Sequence, residues 1–302
     1  MKKLWGIDLG GTKIEGVVLS SAEDPQVLSR QRISTQREKG YQHILQRINE
    51  VVQIISQEVG EKPSRVGIGT PGTLDPLNQT LKNSNSTVLN GKPFKKDLEQ
   101  VLGIPVAMAN DANCFALAET RMGVVPRVCP QAKVVFGVIL GTGVGGGIVI
   151  NNKILNGMQG IGGEWGHTFL DHSGGPCFCG DEGCVEMIIS GPALERYYKK
   201  LSGVRLTLKD IMAQYDQGNE HATSTVNRLL EFFGKGLANV INIIDPDIVV
   251  LGGGVGNIDL LYTEGRKMVE KHIFNSRFDT PIHKPILGDS AGVFGAAYLM
   301  ED

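Results

Sequence analysis

Residues Gly6–Leu19 read GIDLGGTKIEGVVL, and Gly137–Ile150 read GVILGTGVGGGIVI. Each is an apolar run, a Gly/Thr turn and a second apolar run. That is the pattern of a β-hairpin, whose tight reversal uses the φ > 0 freedom of glycine. Without Cβ atoms such a turn also lets a row of backbone N–H groups approach an anion. An ordinary hairpin turn explains either stretch taken alone. Two of them predict two related lobes gripping one polyphosphate. Neither fits the P-loop or the dinucleotide fingerprint. Asp8, at the end of the first strand, is suited to a hydrated Mg²⁺ on ATP phosphates.

The chain has 302 residues, 41% of them apolar, which predicts about two domains with real cores. Thirty basic and 32 acidic residues leave a formal charge of -2. Such a balance carries no footprint for nucleic acid or an anionic membrane. The start, MKKLWGIDLGG, is broken by Asp8 before a secretory apolar run can form, so a cytoplasmic address is expected. Val134–Ile150 has no charge, but its six glycines predict two short strands, not a spanning helix.

Helix and strand signals alternate elsewhere. Tyr41–Val59 places Ile44, Leu45, Ile48, Val51, Val52, Ile55 and Val59 on one helical face and ends at Gly60. Strands are expected at 66–69, 104–109 and 248–251, and a long helix at 222–244 stopped by Asp245-Pro246. Ser290 is placed to cap a last helix ending near Met300. The stretch 75–96 reads as surface loop. The order is mixed α/β with parallel segments.

Three of five cysteines fall in Cys177-Phe-Cys179-Gly-Asp-Glu-Gly-Cys184, with His167 ten positions upstream. Cys₃His satisfies the tetrahedral preference of Zn²⁺, and four protein ligands make a closed, structural site. Buried or redox thiols are the alternative. Cys114 and Cys129 read as small buried hydrophobes.

Asn110-Asp111 follows the apolar strand, with Asp111 placed either to cap the next helix or to act as a general base. Glu164 and Glu186 flank the metal knot, which would hold both acids rigidly. Solvated surface charge is the plainer reading of each.

Asp8-Leu-Gly-Gly-Thr-Lys13, Gly69-Thr-Pro-Gly72, Asn110-Asp111, Gly141-Thr-Gly143, Glu164-Trp-Gly-His167, the cysteine segment through Glu186, and Leu251-Gly-Gly-Gly254 together resemble the ROK family of bacterial sugar kinases and repressors. The resemblance implies the actin/hexokinase-like fold, a duplicated ribonuclease-H-like α/β fold, with ATP and sugar in a cleft between two lobes. The expected lobes are residues 1–118 plus 291–302, and 119–290 carrying the metal segment 167–186. Asp111 would be the general base on the sugar hydroxyl. Gly72, Asn85, Asn110, Glu164, His167 and Glu186 would line the sugar pocket, with His167, Cys177, Cys179 and Cys184 on zinc. Asp8, Gly10, Gly11, Thr12, Lys13, Gly141, Thr142 and Gly143 would face the phosphates and Mg²⁺. Gly252, Gly253 and Gly254 would border the nucleoside. A homodimer is the family-based expectation.

The stretch Asn83-Ser-Asn-Ser-Thr-Val-Leu-Asn-Gly91 resembles the fructokinase and mannokinase branch. Fructose, mannose or glucose, phosphorylated at the 6-OH, is therefore expected ahead of N-acetylglucosamine or N-acetylmannosamine. The family's repressors carry a helix-turn-helix before the first glycine turn, and only seven residues precede Asp8. A catalytically idle sugar sensor is the different-class alternative. A zinc hydrolase would need an open metal position that Cys₃His does not offer.

Overall fold

The computed structural model describes residues 2–301 and resolves both glycine stretches as strand, turn and strand. The chain divides into two units. The first takes in the chain to Val128, Gly147–Gly162 and the segment from Ile286 onward; the second is Cys129–Gly146 with Gly163–Pro285.

In the first unit β1 (Leu4–Leu9), β2 (Lys13–Leu19) and β3 (Val27–Ser34) form an antiparallel run. β4 (Val66–Thr70) and the strand Val106–Asn110 extend it in parallel on the other side of β1. The sheet order is β3-β2-β1-β4 and then Val106–Asn110. The second sheet runs Lys153–Ile154, Val144–Ile150, Val134–Leu140, Ile248–Gly252, Ile282–His283. Its last three strands are parallel. Both sheets thus have the same order around a glycine-turn strand pair, which is the duplication that the two sequence stretches predict.

Helix α1 (Tyr41–Val59) buries Ile44, Leu45, Ile48, Val51, Val52 and Ile55 against β2 and β3, each contributing about 1.5–3 kcal/mol of transfer free energy. Gly16 on β2 permits the approach, since a Cβ there would lie 2.4 Å from Val51 Cγ1. Val59 is only partly buried. Gly60 ends the helix at φ 69°, its N–H donating to the Ser56 carbonyl.

The closing helix Ala291–Tyr298 packs on β1, β4 and α3 (Asp111–Arg121) at backbone distance. A Cβ on Gly6 would meet the Val293 carbonyl at 2.4 Å, one on Gly67 the Ala296 carbonyl at 1.8 Å, and one on Gly295 the Cys114 carbonyl at 1.8 Å. At the far end of α3 the buried Glu119 carboxylate accepts from the backbone N–H of Val124, Ile286 and Leu287, at 2.8, 3.2 and 3.1 Å. It anchors the segment that leads into the closing helix.

Two expectations need correction. Ser290 precedes the closing helix but its side chain does not cap it. Its hydroxyl instead joins the buried Glu15 carboxylate (3.1 Å) and Arg30. Glu15 draws more from Arg30 and Arg32 than it loses by burial, so its carboxyl lies below the usual range. The stretch 75–96 is not simply surface loop. It buries Leu81, Ser84, Ser86, Leu89 and Phe94, the last at the start of α2 (Phe94–Leu102). Among the described residues no helix is long and apolar enough to cross a membrane.

Because the missing Cβ of Gly295 is filled by backbone, Gly295→Ala should destabilise the protein by about 3 kcal/mol, the upper end of the overpacking range. Urea unfolding reads this directly; a loss below about 0.5 kcal/mol would mean the helix can slide.

Candidate active site

In the first unit the turn after β1 closes through Gly10 N–H to the Lys13 carbonyl (2.9 Å). Thr35, buried at the end of β3, clamps it from the side. Its N–H donates to the Thr12 carbonyl at 3.0 Å and its hydroxyl to the Gly10 carbonyl at 2.8 Å. Sequence reading missed Thr35, because nothing in its spacing marks a residue whose only task is to hold another loop.

Asp8 lies opposite Glu15 on β2 and Gly69 on β4. A Cβ on Gly69 would come 3.3 Å from Asp8 Oδ1, and one on Gly292 equally near Asp8 Cγ. These glycines leave the carboxyl its space. Burial, then the negative charges of Asp111 and Glu15, raise the Asp8 pKa to about 7, with Lys13 and Arg32 opposing. Asp8 and Asp111 therefore act on each other electrostatically.

Asn110 is the N-cap of α3, its Oδ1 accepting from Asn113 N–H at 2.7 Å. The capping role read for Asp111 is therefore filled by its neighbour. Asp111 is the first helical residue, and its Oδ1 accepts from Ala112 N–H at 2.9 Å. Burial raises its carboxyl above the usual range against the backbone hydrogen bonds. Protein crowds it, yet its surface area is exposed, so that rise is tempered by solvent.

Gly72 has φ 89° and faces the Lys82 carbonyl at 2.5 Å from a built Cβ, so its glycine is required by packing. Asn85 is exposed on a loop that Asn90 pins, accepting from Ser84 N–H and donating to its carbonyl.

In the second unit, Gly141 N–H closes the other turn on the Gly143 carbonyl at 2.9 Å. Gly141, Thr142 and Gly254 line a cavity of about 880 Å³ with Leu208, Met212 and Tyr215. Its walls are mostly apolar, with charged groups such as Glu195 and Asp216 among them, a shape suited to a small organic ligand. Gly253 serves another purpose, since its φ is 83° and a Cβ would strike the Leu140 carbonyl at 2.2 Å. The helix Leu208–Asp216 that supplies the apolar wall was not foreseen. Only Ile211 on it is buried, too little to stand out as a periodic face.

Glu164 precedes, and His167 ends, a 3-10 turn fixed by Trp165. Its ring meets Phe136 edge-on (5.9 Å) and its Nε1–H donates to the Gly236 carbonyl at 3.1 Å. One ligand atom from each of His167, Cys177, Cys179 and Cys184 lies within 4.8 Å of all the others. Cys177 Sγ is 3.6 Å from His167 Nδ1, and Cys179 Sγ 3.6 Å from Cys184 Sγ. Tetrahedral zinc with bonds of about 2.0–2.3 Å puts its ligand atoms at about that spacing, so this donor set fits the ion. With Nδ1 turned to the thiols, His167 Nε2 points to the other side of its ring. Gly180 and Gly183 hold φ of 103° and 70°, the backbone freedom that the knot needs. Glu186 follows on the short helix Val185–Ile189 and accepts from Val144 N–H at 2.9 Å.

Two measurements test this geometry. About one zinc per chain should copurify, and Cys179→Ser should lose it and melt at lower temperature. A metal-free wild type of equal stability would speak against the knot. For Asp8, a folded pKa above the unfolded one means that stability is greatest below about 4 and falls as pH rises toward 7. Wild type should therefore lose ground to Asp8→Asn between pH 4 and 7.5 in metal-free buffer, as urea midpoints can show.

The ROK family profile matches residues 4–302. The N-acetyl-D-glucosamine kinase of Haemophilus influenzae is 36% identical over 306 residues, covering 98% of each protein, and that of Escherichia coli is 36% identical over 305. Among solved structures, the ROK hexokinase of Thermus thermophilus matches with a TM-score of 0.87 and 31% identity over 98% of this chain and 97% of that one. A ROK glucokinase from Streptomyces griseus, in complex with glucose and AMPPNP, matches at 0.77 and 30% over 98% of each chain.

Proposed function

The chain belongs to the ROK family, and from that premise we propose that it transfers the γ-phosphoryl group of Mg-ATP to a hydroxyl of N-acetyl-D-glucosamine. That it is an ATP-dependent sugar kinase with the actin/hexokinase-like fold follows from its relatives and from the two matching sheets. The sugar is the finer step. Relatives at 36% identity along almost the whole chain carry the N-acetylglucosamine name, which moves the reading away from the fructose, mannose or glucose expected first. A hexose without the N-acetyl group stays as second reading, favoured by the hexokinase and glucokinase structures.

Asp111 accepts the proton of the attacking hydroxyl. In a loose phosphoryl-transfer transition state that proton leaves late, so alignment matters more than a high pKa. Asn110, Glu164, Glu186 and His167 Nε2, with Gly72 and Asn85, offer the sugar acceptors and donors that demand its hydroxyls. The N–H groups of Gly10–Lys13 and Gly141–Gly143 receive phosphate oxygens, and the cavity beside Gly254 takes the nucleoside. Ionised Asp8 would hold the Mg²⁺ that comes with the nucleotide, an ion that would supply neutralisation of phosphate charge. Zn²⁺ on His167, Cys177, Cys179 and Cys184 would supply rigidity, not activated water. We further assign a cytoplasmic homodimer. Supporting the dimer, Ile243 and Phe274 expose large apolar side chains that a second copy could cover.

The observation that carries the base assignment is the transfer of the helix cap to Asn110, which leaves the Asp111 carboxyl without that task. Coupled ADP release should be measured with N-acetylglucosamine, N-acetylmannosamine, glucose, mannose and fructose. The largest kcat/KM is expected with N-acetylglucosamine, and Asp111→Asn should lower kcat by about 10²–10⁴-fold with folding intact. An unchanged kcat removes Asp111 from the role. A larger kcat/KM with glucose restores the hexose reading.

A further inference from the structure

The glycine turn Gly141–Gly143 is held by more than its own hairpin. It is tied at both ends to the segment leaving the cysteine knot. Gly191 N–H donates to the Gly141 carbonyl at 2.8 Å, and Val144 N–H donates to Glu186 Oε2 at 2.9 Å. Glu186 stands two residues after Cys184, which is the N-cap of its short helix. The fit is tight, because a Cβ on Gly143 would lie 2.5 Å from Glu186 Oε2. Any side chain at position 143 would push the carboxylate off the Val144 N–H.

We propose that Glu186 is a positioning residue for the phosphate donor, its carboxylate locking the Gly141–Val144 backbone into the conformation that receives phosphate before any sugar binds. This rests on Gly141–Gly143 being a phosphate turn. A run of glycines has many backbone states, and choosing one of them costs entropy at the moment of binding unless something has already chosen. A hydrogen bond from a backbone N–H to an ionised acceptor is strong enough to choose. The metal knot extends the same restraint, because Cys184 fixes where the helix carrying Glu186 begins. Val144 N–H takes Oε2, which leaves Oε1 as the oxygen that can meet a sugar hydroxyl without releasing Val144.

Binding of Mg-ADP in the absence of sugar separates this role from plain sugar binding, which would leave the nucleotide untouched. Calorimetry should find Kd for Mg-ADP raised about tenfold or more in Glu186→Ala, the loss of one charged hydrogen bond. Glu186→Gln retains a carbonyl acceptor for Val144 N–H and should keep Kd within about threefold of wild type. Glu186→Asp retains the charge but withdraws it by one methylene. It should behave like Glu186→Ala, and it serves if the alanine variant does not fold. Melting temperature and zinc content are read for every variant. An unchanged Mg-ADP Kd in Glu186→Ala or in folded Glu186→Asp overturns the inference and leaves the kinase reading intact. Failure of wild type itself to bind Mg-ADP overturns the phosphate-turn reading, and the inference with it.

Discussion

Backbone-to-backbone contact of the closing helix with β1, β4 and α3 is the constraint on which the first unit depends. Gly6, Gly67 and Gly295 each face a carbonyl where a Cβ would lie 2.4 Å or less away. Side chains of ordinary size would push the three layers apart by ångströms. The helix would then no longer bring Gly292 against Asp8 at the end of β1 while its other face rests on Cys114 of α3, one turn from Asp111. The mutual field of the two carboxylates, which helps to raise Asp8, is thus a product of close packing.

The second unit reaches comparable definition by other means. Its turn is bridged by side chain and backbone to the segment after the knot, and the knot is set by the Trp165 anchor on one side and by glycine conformations on the other. Small residues act in both units, but in opposite ways. In the first they let helices close on a sheet; around the cysteines they let a loop bend tightly enough to bring four ligand atoms together.

Much of this was legible in the sequence because it is written in local patterns. The face of α1, the two hairpins, the cysteine spacing and the strands running into Asn110 and Gly252 are each set by neighbours within a few residues. What escaped is set by distant partners. Ser290 looked like a cap but answers to Glu15 and Arg30, both more than 250 positions away in the chain. Asp111 and Asn110 are equally good caps by type, and only the backbone geometry at the strand end decides between them. Thr35 and the apolar wall at Leu208, Met212 and Tyr215 carry no periodicity or motif. Leu81, Leu89 and Phe94 are buried because the core of the first unit extends under a polar-looking stretch.

The discontinuity of the first unit bears on how the protein is made. Glu119 takes up the N–H groups of Ile286 and Leu287, and the closing helix that follows covers glycines on β1 and β4. During synthesis from the N-terminus, the strand bearing Asp8 and the strand leading into Asp111 emerge early but wait for well over a hundred residues before the helix that seals them is available. The second unit has all of its chain by Pro285 and can settle first, so a nascent chain carries an open sheet face in one unit while the other is finished. Contacts of such long sequence separation are slow to form, and that uncovered face is where a chaperone would bind or aggregation would begin.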